Sequence, residues 1–453
     1  MISVPVPLGE VLAIAAEFER GGRLEEAARL IAHARGVAPE QPDLLHLAGI
    51  VAFRQKRPEE ALALLEGAIA GSPDNALFHR NICEVYRLAG RLGDALAAGQ
   101  RAVSLAPGDA LALQNLAIIQ YEHLDIAGSV ASARRALALD PASPGAHFEL
   151  AEALLLRGEM AEGWEEYEWR YRIAGAPQLM PPSDKPQWDG AAMGDGTVLL
   201  IADQGFGDVI QFARYIPWAR ERCSRVAIAC SVEVAPLLRQ IAPGVPIFQA
   251  WRECPAFAAY CPLSGLPRLH GTRVESIPAP VPYLRARPER VAAWRARLDA
   301  LVPAGFRRIG VVWAGRPTHN NDRNRSTTLA RFAPLARLAS TALISLQKGE
   351  AAEQAGRFFG RAPLINLGAE IVDYDDTMAI LDVLDLLVTV DTSVGHLAGA
   401  MGRPACVLLP HAPDWRWLLG RADSPWYPSL RLLRQDDRRD FGPLIAGLAA
   451  ELA

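Results

Sequence analysis

The segment LLVTVDTSVGHLAGAMGRP, residues 386–404, decides the fold of the longer, C-terminal part of the chain. An apolar run ends at Val390, Asp391 turns the chain, and Thr392 and Ser393 begin an amphipathic stretch. A short, continuous apolar run followed by such a turn is typical of a parallel strand that is buried on both faces and leads into a crossover helix. The segment therefore predicts an α/β fold.

The start of that helix is a candidate anion site. The first N–H groups of a helix have no intrahelical partner and carry partial positive charge, and the hydroxyls of Thr392 and Ser393 add two donors. His396, in the first turn, adds a hydrogen bond or a proton. The alternative is that Thr392 or Ser393 is only an N-cap, which is the usual role of these residue types.

Similar apolar runs occur on both sides of the proline-rich stretch IPAPVPYLRARPER, residues 277–290. Three precede it and five follow it, each separated from the next by a helical pattern. They predict two Rossmann-like halves, residues 196–285 and 286–453, with a cleft between them. In open α/β sheets, ligands bind at the carboxyl ends of the strands, so the loops at those ends are the candidate site.

The N-terminal third has a different pattern, a repeat of 34 residues. Pro39, Pro73, Pro107 and Pro141 share this spacing, and Ala27, Ala61 and Ala95 follow the same step. This is the period of the tetratricopeptide repeat, a pair of helices in which a small residue allows close crossing and a proline ends the second helix. We predict an α-solenoid over residues 1–175 and a polar, proline-containing linker over residues 176–195.

The concave face of such a solenoid is a candidate binding groove for an acceptor protein. The first 175 residues are acidic overall, which favours a polar or basic protein partner over nucleic acid. Asn81 and Asn115 occupy equivalent places in successive repeats, where an amide can bond the backbone of a partner. Bonding to the neighbouring repeat is the alternative, and Leu47 and Glu149 interrupt the ladder.

Bulk properties exclude several classes of protein. The formal net charge of −4 and the 50% hydrophobic content do not fit a basic nucleic-acid binder or a disordered chain. The sequence lacks a continuous apolar run of about 18 residues, and its start does not resemble a signal peptide. The six cysteines show no metal-binding spacing. We expect a cytoplasmic protein with reduced thiols, no membrane insertion and no obligatory metal.

A second glycine-containing loop, QGFGDVIQFARYIP, follows the first apolar run of the α/β region. Gly205 and Gly207 would let the backbone approach a ligand closely, and Asp208 begins a helix. Asp208 is either a catalytic carboxylate or an N-cap that complements the helix dipole. The helix start is expected to lower the basicity of this carboxylate.

Together these motifs resemble a known family. DTSVGHLAGAMGRP is similar to the donor-binding motif of heptosyltransferase-like glycosyltransferases, and QGFGDVIQFARYIP is similar to their N-terminal Gly-Asp loop. The order of repeats, PQWDG, these two motifs and PDWRWLL resembles bacterial repeat-containing glycosyltransferases, including those that modify flagellin. The resemblance covers nearly the whole chain and implies a GT-B fold of two Rossmann-like halves.

The resemblance also implies roles for individual residues. Asp208 would be the general base that takes the proton of the acceptor hydroxyl. The donor, a nucleotide sugar, would be held by the two loop glycines, by the residues after strand 386–390, and by cations and an aromatic residue of the preceding strand loops: Gly205, Gly207, Trp313, Arg323, Arg325, Gln347, Lys348, Asp391, Thr392, Ser393 and His396. Fixed cations and helix N–H groups aimed at the leaving phosphate would replace a metal.

Two further motifs leave alternatives open. DYDDT, residues 373–377, contains an Asp-x-Asp pattern, but it precedes a helix and is better explained by Asp375 or Asp376 as an N-cap. Trp415 and Trp417 either cover the base or sugar of the donor or pack between the domains.

The function that we expect is protein O-glycosylation in the cytoplasm. The donor implied by the resemblance is a CMP-linked nonulosonic acid, such as pseudaminic or legionaminic acid. The acceptor is Ser or Thr of a protein held by the repeats, and the resemblance favours flagellin. Two alternatives remain, a non-catalytic repeat scaffold or chaperone for flagellin and a glycolipid glycosyltransferase.

Overall fold

A computed structural model describes residues 7–176, 181, 183–278, 280–358, 360 and 362–453. The chain forms two compact units. The first extends to Ala153 and includes Arg172–Ala174, and the second comprises Leu154–Tyr171 and the residues from Gly175 onward. The predicted fold class, a helical solenoid followed by an α/β region, is confirmed.

Helical hairpins build the first unit. The helices that begin within it are α1 (Leu8–Arg20), α2 (Leu24–Val37), α3 (Pro42–Arg54), α4 (Pro58–Gly71), α5 (Ala76–Leu88), α6 (Leu92–Leu105), α7 (Ala110–Glu122), α8 (Ile126–Leu139) and α9 (Pro144–Arg157). Each repeat proline lies two residues beyond the end of a second helix, since proline has no N–H to continue the ladder. Ala27, Ala61 and Ala95 are fully buried. The predicted proline and alanine positions are thus confirmed.

The turn inside each hairpin requires left-handed backbone. Gly22, Lys56, Gly90, Leu124 and Gly158 follow one another at the repeat spacing, and all have φ between 60° and 82°. Only glycine adopts this conformation without a steric penalty. The hairpins therefore share one turn geometry, even where the sequence supplies lysine or leucine.

The first half of the α/β unit contains a four-stranded parallel sheet in the order β3-β2-β1-β4. Its elements, after α10 (Met160–Tyr167), are β1 (Met193–Ile201), α11 (Phe206–Phe212), α12 (Ile216–Arg222), β2 (Cys223–Ala229), α13 (Ala235–Ile241), β3 (Ile247–Phe248), β4 (Ala259–Pro262) and α14 (Leu266–His270). Strand β1 begins three residues before the predicted start of this half. Residues 177–180 and 182 of the predicted linker lie outside the described part of the chain.

The second half contains a six-stranded parallel sheet in the order β10-β9-β8-β5-β6-β7. Its elements are α15 (Pro288–Asp299), β5 (Arg307–Val312), α16 (Asp322–Arg325), β6 (Thr341–Ser345), β7 (Leu364–Asn366), α17 (Tyr374–Val383), β8 (Leu386–Val390), α18 (Ser393–Ala400), β9 (Ala405–Leu409), β10 (Leu430–Arg434) and α19 (Gly442–Leu452). The apolar runs predicted as strands are confirmed because each contains a parallel strand.

The two faces of this second sheet are covered by different elements. Val388 and Val390 of β8 point into a core formed with the short 3-10 helices at residues 329–337 and with α19. On the other face, Gly395 of α18 packs against Thr389 of β8. Because side chains alternate along a strand, α18 and α19 lie on opposite faces of the sheet.

The aromatic segment at the end of the predicted repeats packs within the α/β unit. Trp164 of α10 donates a hydrogen bond to the carbonyl of Thr272 at 3.1 Å, and Arg170 donates to the hydroxyl of Ser264. The compact α/β unit therefore starts at Leu154, earlier than the predicted end of the repeats at residue 175. Within the described ranges, no helix has the length and apolar character needed to cross a bilayer.

The repeated left-handed turn generates a stability prediction. Gly90 (φ 77°) and Gly93 both have open space around an added Cβ, but Gly93 lies in the first turn of α6. We expect Gly90→Ala to lower the free energy of unfolding by about 1 kcal/mol, because alanine is strained in this conformation. Gly93→Ala is the control and should be neutral or stabilising by up to about 1 kcal/mol. Urea unfolding followed by circular dichroism measures both, and equal effects would contradict the proposed turn requirement.

Candidate active site

The candidate site lies where the order of the strands reverses in each sheet. Strands β1 and β4 are neighbours at the reversal in the first sheet, and β5 and β8 are neighbours at the reversal in the second. The crevice outside the carboxyl ends of such strands is the usual ligand site of open α/β sheets. Asp208, Arg325 and Asp391 all lie in the segments that follow these strands.

Asp208 lies in the first turn of α11 and is bonded to the opposite half. Its carboxylate accepts a hydrogen bond from the guanidinium of Arg416. Burial raises the pKa of Asp208 above its usual value, although Arg416 opposes that rise. The backbone at the helix start lowers this pKa, in the expected direction, but burial produces a net rise.

Arg416 joins two segments of the α/β unit, α11 and the segment after β9. One nitrogen, Nη2, donates to Asp208, and the other, Nη1, donates to both oxygens of Asp414 at 2.7 and 2.8 Å. The guanidinium carbon lies 4.2 Å from the centre of the Trp415 ring. Although burial alone would raise the pKa of Asp414, Arg416 holds that pKa below its usual value. The sequence analysis did not select Arg416, whose one signal is a charge inside the aromatic motif PDWRW.

Asp391 holds the loop after β8 in place. Its carboxylate accepts a hydrogen bond from the Trp417 indole at 2.9 Å, and its carbonyl accepts one from Arg325 at 3.3 Å. Burial and the neighbouring Asp414 raise the pKa of Asp391 to about 6. These bonds are those expected of a residue that orients the loop.

His396 is buried within the seam between the two halves. Its Nδ1 atom lies 3.0 Å from the hydroxyl of Tyr427, and its ring centre lies 5.3 Å from that of Trp417. Burial lowers the pKa of His396 to about 3, so the imidazole is neutral at physiological pH. A Cβ on Gly207 would lie 2.9 Å from the imidazole. The imidazole of His396 and the backbone of Gly207 pack against each other. Neither therefore has room for its predicted contact with a phosphate.

The start of α18 retains the features of an anion site. Thr392, at the N-cap position, makes no side-chain capping bond. Ser393 is 3.1 Å from the hydroxyl of Tyr374, whose ring packs edge-on against Phe206 of the first half. The guanidinium carbon of Arg316 lies 5.8 Å from the centre of the same Phe206 ring. The structure thus adds Arg316, an exposed cation that the sequence analysis did not select, to the surroundings of the helix start.

The cations of the β5 loop diverge. Arg325 points towards β8, where it bonds the carbonyl of Asp391 and pairs with Asp322 at 3.3 Å. Arg323, two residues earlier, lines a separate cavity together with His411. Lys348 donates to the carbonyl of Ile371 and is exposed. The predicted donor-binding cations therefore do not converge on one point, because α16 directs Arg323 and Arg325 to different places.

Two predicted donor contacts are structural instead. Trp313 is fully buried and belongs to the core of the second half. Gln347 is 3% exposed, and its carbonyl oxygen accepts bonds from the N–H groups of Trp313 and Ala314 at 3.0 and 2.9 Å. Neither side chain has free surface for a ligand, so the prediction is corrected. Both fix the start of the β5 loop.

In the first half, Asp203 organises the strand reversal. Its carboxylate accepts hydrogen bonds from the N–H and hydroxyl of Ser264, which follows β4, and from the hydroxyl of Tyr171. Arg170 lies 4.0 Å from the same carboxylate. Asp203 immediately precedes the loop quoted for its glycines and was missed because an aspartate after a strand has many possible roles.

In the solenoid unit, the two selected asparagines contact neighbouring repeats. The Asn81 amide lies 2.9 Å from His46, and the Asn115 amide donates to the carbonyl of Arg80 at 3.5 Å. Both contacts fit the structural alternative raised for these residues. Acceptor binding through them stays a prediction.

The acidic motif at residues 373–377 caps a helix, but through a different residue from those predicted. Asp373 is the N-cap of α17 and accepts the N–H of Asp376 at 2.9 Å. Asp376 is instead bonded to Arg290 and Trp294 of α15 at 2.8 and 3.0 Å. In the ranges that the structure describes, no three His, Cys, Asp or Glu side chains form a metal-binding group.

Trp415 and Trp417 are each 1% exposed. Trp415 packs edge-on against Trp164 at 5.2 Å between ring centres, and Trp417 bonds Asp391. Packing is therefore the alternative that the structure supports for both.

The low pKa of His396 generates a pH prediction. The unfolded chain binds a proton near the usual pKa of 6.5, whereas the folded chain does not bind it until the pH falls to about 3. The contribution of His396 to the free energy of unfolding is therefore fully present above its usual pKa and is lost as the pH falls below it. From pH 7 to pH 4.5 the loss from this group is about 2 kcal/mol.

His396→Asn should remove most of that loss while keeping a partner for Tyr427. Urea unfolding of both proteins at pH 7, 6, 5 and 4.5 measures the difference. An unchanged pH dependence in His396→Asn would contradict a buried, neutral imidazole.

Known proteins resemble this chain in its repeats and beyond them. A family model described as tetratricopeptide repeat matches residues 12–76, 48–110 and 115–175. Protein FlbA of Caulobacter vibrioides is 26% identical over 337 residues, which cover 67% of this chain and 54% of that protein. The chain thus spans about half the length of this curated relative.

Solved structures are similar to parts of this chain at low sequence identity. The Pseudomonas aeruginosa protein pilF is 15% identical, with a TM-score of 0.37 over 52% of this chain and 92% of its own. A thermophilic TPR protein of Thermus thermophilus, TTC0263, is 21% identical, with a TM-score of 0.33 over 37% of this chain and 91% of its own.

Proposed function

We propose that this chain is a metal-independent protein O-glycosyltransferase. The observation that carries the proposal is the meeting of a half-buried carboxylate from one parallel sheet, Asp208, with the helix start and cations of the other. Fold alone does not specify chemistry, so the proposal rests on these side chains. The resemblance of both loops to the heptosyltransferase-like family supports the same reaction.

The chemistry assigns one role to each half. The acceptor oxygen forms a bond to the anomeric carbon of the sugar while the bond from that carbon to the phosphate oxygen breaks. Asp208 takes the proton of the acceptor hydroxyl, and its raised pKa makes it a better base than an exposed aspartate. The departing phosphate keeps the electron pair and is stabilised by the N–H groups of α18, by Arg325 and by Arg316.

Arg416 must participate in this cycle, because it bonds Asp208 directly. While the ion pair lasts, the carboxylate is shielded from an acceptor. An acceptor hydroxyl that reaches Asp208 therefore replaces one Arg416 bond, and Asp414 retains the other. We infer that Arg416 is a positioning residue that orients the base.

The proposed acceptor is a protein held by the solenoid, with flagellin as the first candidate. Tetratricopeptide repeats generally present a concave surface to a peptide, which supports a protein acceptor over a glycolipid. The choice of flagellin and of a CMP-linked nonulosonic acid comes from the resemblance to flagellin-modifying glycosyltransferases.

The first test is the intact mass of flagellin from cells with and without this chain. We expect the flagellin mass to fall by whole sugar units in its absence and to be restored by the wild-type chain. In vitro, Asp208→Asn should lower the turnover of donor and acceptor by about 10²-fold or more, because it removes the general base. Asp195→Asn, which changes an exposed carboxylate near the start of β1, is the control and should keep full activity.

The outcomes separate the alternatives. Full activity in Asp208→Asn would refute the assignment of Asp208 as the general base, but it would not refute the proposal that the chain is a glycosyltransferase. Unchanged flagellin mass together with stable binding of flagellin to the chain would favour the scaffold. A sugar lost from a glycolipid fraction instead of from flagellin would favour the glycolipid glycosyltransferase.

The groove generates a separate kinetic prediction. If Asn81 and Asn115 each bond the acceptor backbone, their joint replacement by alanine removes about 1 kcal/mol of binding per residue. We expect the KM for the acceptor protein to rise by about tenfold or more, with kcat within about twofold of wild type.

Gln100→Ala is the matched control, because this amide is exposed on the second helix of its repeat. Its KM should not change. An unchanged KM in the double variant would leave the two asparagines with only their contacts to neighbouring repeats.

A further inference from the structure

A cavity of about 180 Å³ lies in the second half, outside the cleft at which the two halves meet. Three guanidinium groups line it, those of Arg323, Arg331 and Arg439. His411 and Gln435 also line it, and the one carboxylate in the lining is that of Asp440. Positive groups thus outnumber negative ones within a space that holds more than a single water molecule.

The position of the cavity separates it from the candidate active site. It is bounded by the segments that follow β9 and β10, by the end of α16 and by the residue before α19. Because α19 covers the sheet face opposite to α18, the cavity does not include the helix start that faces Phe206. It nevertheless lies at the carboxyl edge of the sheet, where ligands of open α/β folds bind.

Two of the polar groups in the lining have their oxygen atoms engaged. The Gln435 side chain is 8% exposed, and its carbonyl oxygen is occupied by the backbone N–H of His411 at 3.1 Å. The remaining polar group of that side chain is an NH₂, which can only donate. Asp440 is likewise engaged, by the N–H of Gly442 at 2.9 Å and by Arg331 at 3.3 Å. The Gln435 side chain therefore offers a donor, and the negative charge of Asp440 is balanced by Arg331.

Backbone strain marks the same place. Arg439 has a φ of 55°, in the left-handed region that a residue with a side chain adopts at a penalty. Residues in this conformation concentrate at functional sites, where the surrounding structure holds them. The strained turn sets Arg439 at the rim of the cavity, beside Asp440.

We propose that this cavity binds a phosphate group, either as inorganic phosphate or as a small phosphate ester. Arginine is the side chain best matched to phosphate, because its planar fork donates two parallel hydrogen bonds. The volume exceeds that of one phosphate, so a small ester also fits. The proposal does not depend on glycosyl transfer.

The test is binding of inorganic phosphate and of glucose 6-phosphate to the full chain, by calorimetry and by thermal stabilisation at constant ionic strength. Wild type should bind at least one of them saturably, and stability should rise with ligand concentration as expected for a ligand specific to the folded state. Arg331→Gln combined with Arg439→Asn should weaken binding by about tenfold or more. Asparagine is chosen because it tolerates the left-handed conformation.

Two single variants make the test sharper. Arg438→Gln removes an exposed arginine that pairs with Asp436 outside the cavity lining, and binding should stay within about twofold of wild type. Asp440→Asn keeps an oxygen for the Gly442 N–H but removes the negative charge, so binding should tighten severalfold. Preference for one ligand identifies free phosphate or the ester as the source.

The proposal fails if wild type binds neither ligand saturably. It also fails if the double variant and Arg438→Gln lose affinity equally, since that would reflect general surface charge. Weaker binding in Asp440→Asn would contradict it as well. Circular dichroism of each variant verifies that the fold is retained, so that lost binding is not lost structure.

Discussion

The ion pair between the half-buried Asp208 and the buried Arg416 is the constraint on which the candidate site depends. It joins the first helix of one parallel sheet to the segment after β9 of the other, and Asp414 holds the second nitrogen of the same guanidinium. A buried cation without its partners is strongly destabilising, whereas a fully bonded one is tolerated. The loops at the two strand reversals are consequently held in register by charge, and the aromatic rings around Arg416 exclude water from it.

The same requirement explains the other charged groups of this seam. Arg214, 3% exposed, donates to the carbonyl of Trp426 at 2.8 Å and lies 4.8 Å from the Tyr427 ring centre. His396 needs no charged partner because its imidazole is neutral, and the carboxylate of Asp391 accepts a hydrogen bond from the indole of Trp417. The solution differs from group to group, and together these groups fix the segments after β8 and β9 relative to α11 and the residues that follow it. A site built this way is rigid before any ligand arrives, which is what electrostatic stabilisation of a leaving phosphate requires.

How much of this could be predicted from the sequence depends on the range of the interaction. Local chemistry determines the helix ends just before Pro39 and Pro73 and the strand that ends at Val390, and the sequence predicts all three. The left-handed turns at Lys56 and Leu124 were not, because the turn is imposed by hairpin packing against the preference of those residues. The bond between Asp208 and Arg416 spans 208 residues of sequence, and no local pattern indicates which of many arginines a carboxylate will meet. Burial of Trp313 and Gln347 was missed for the same reason, since a residue after a strand can face either the core or the cleft.

The helical turn α16 shows why the cavity and the cleft should not be considered independent. Arg323 and Arg325 are two residues apart, so on one short helical turn they cannot face the same side. Arg325 is committed to the carbonyl of Asp391, and Arg323 lines the cavity. Whatever fixes Arg323 therefore also fixes the backbone that carries Arg325.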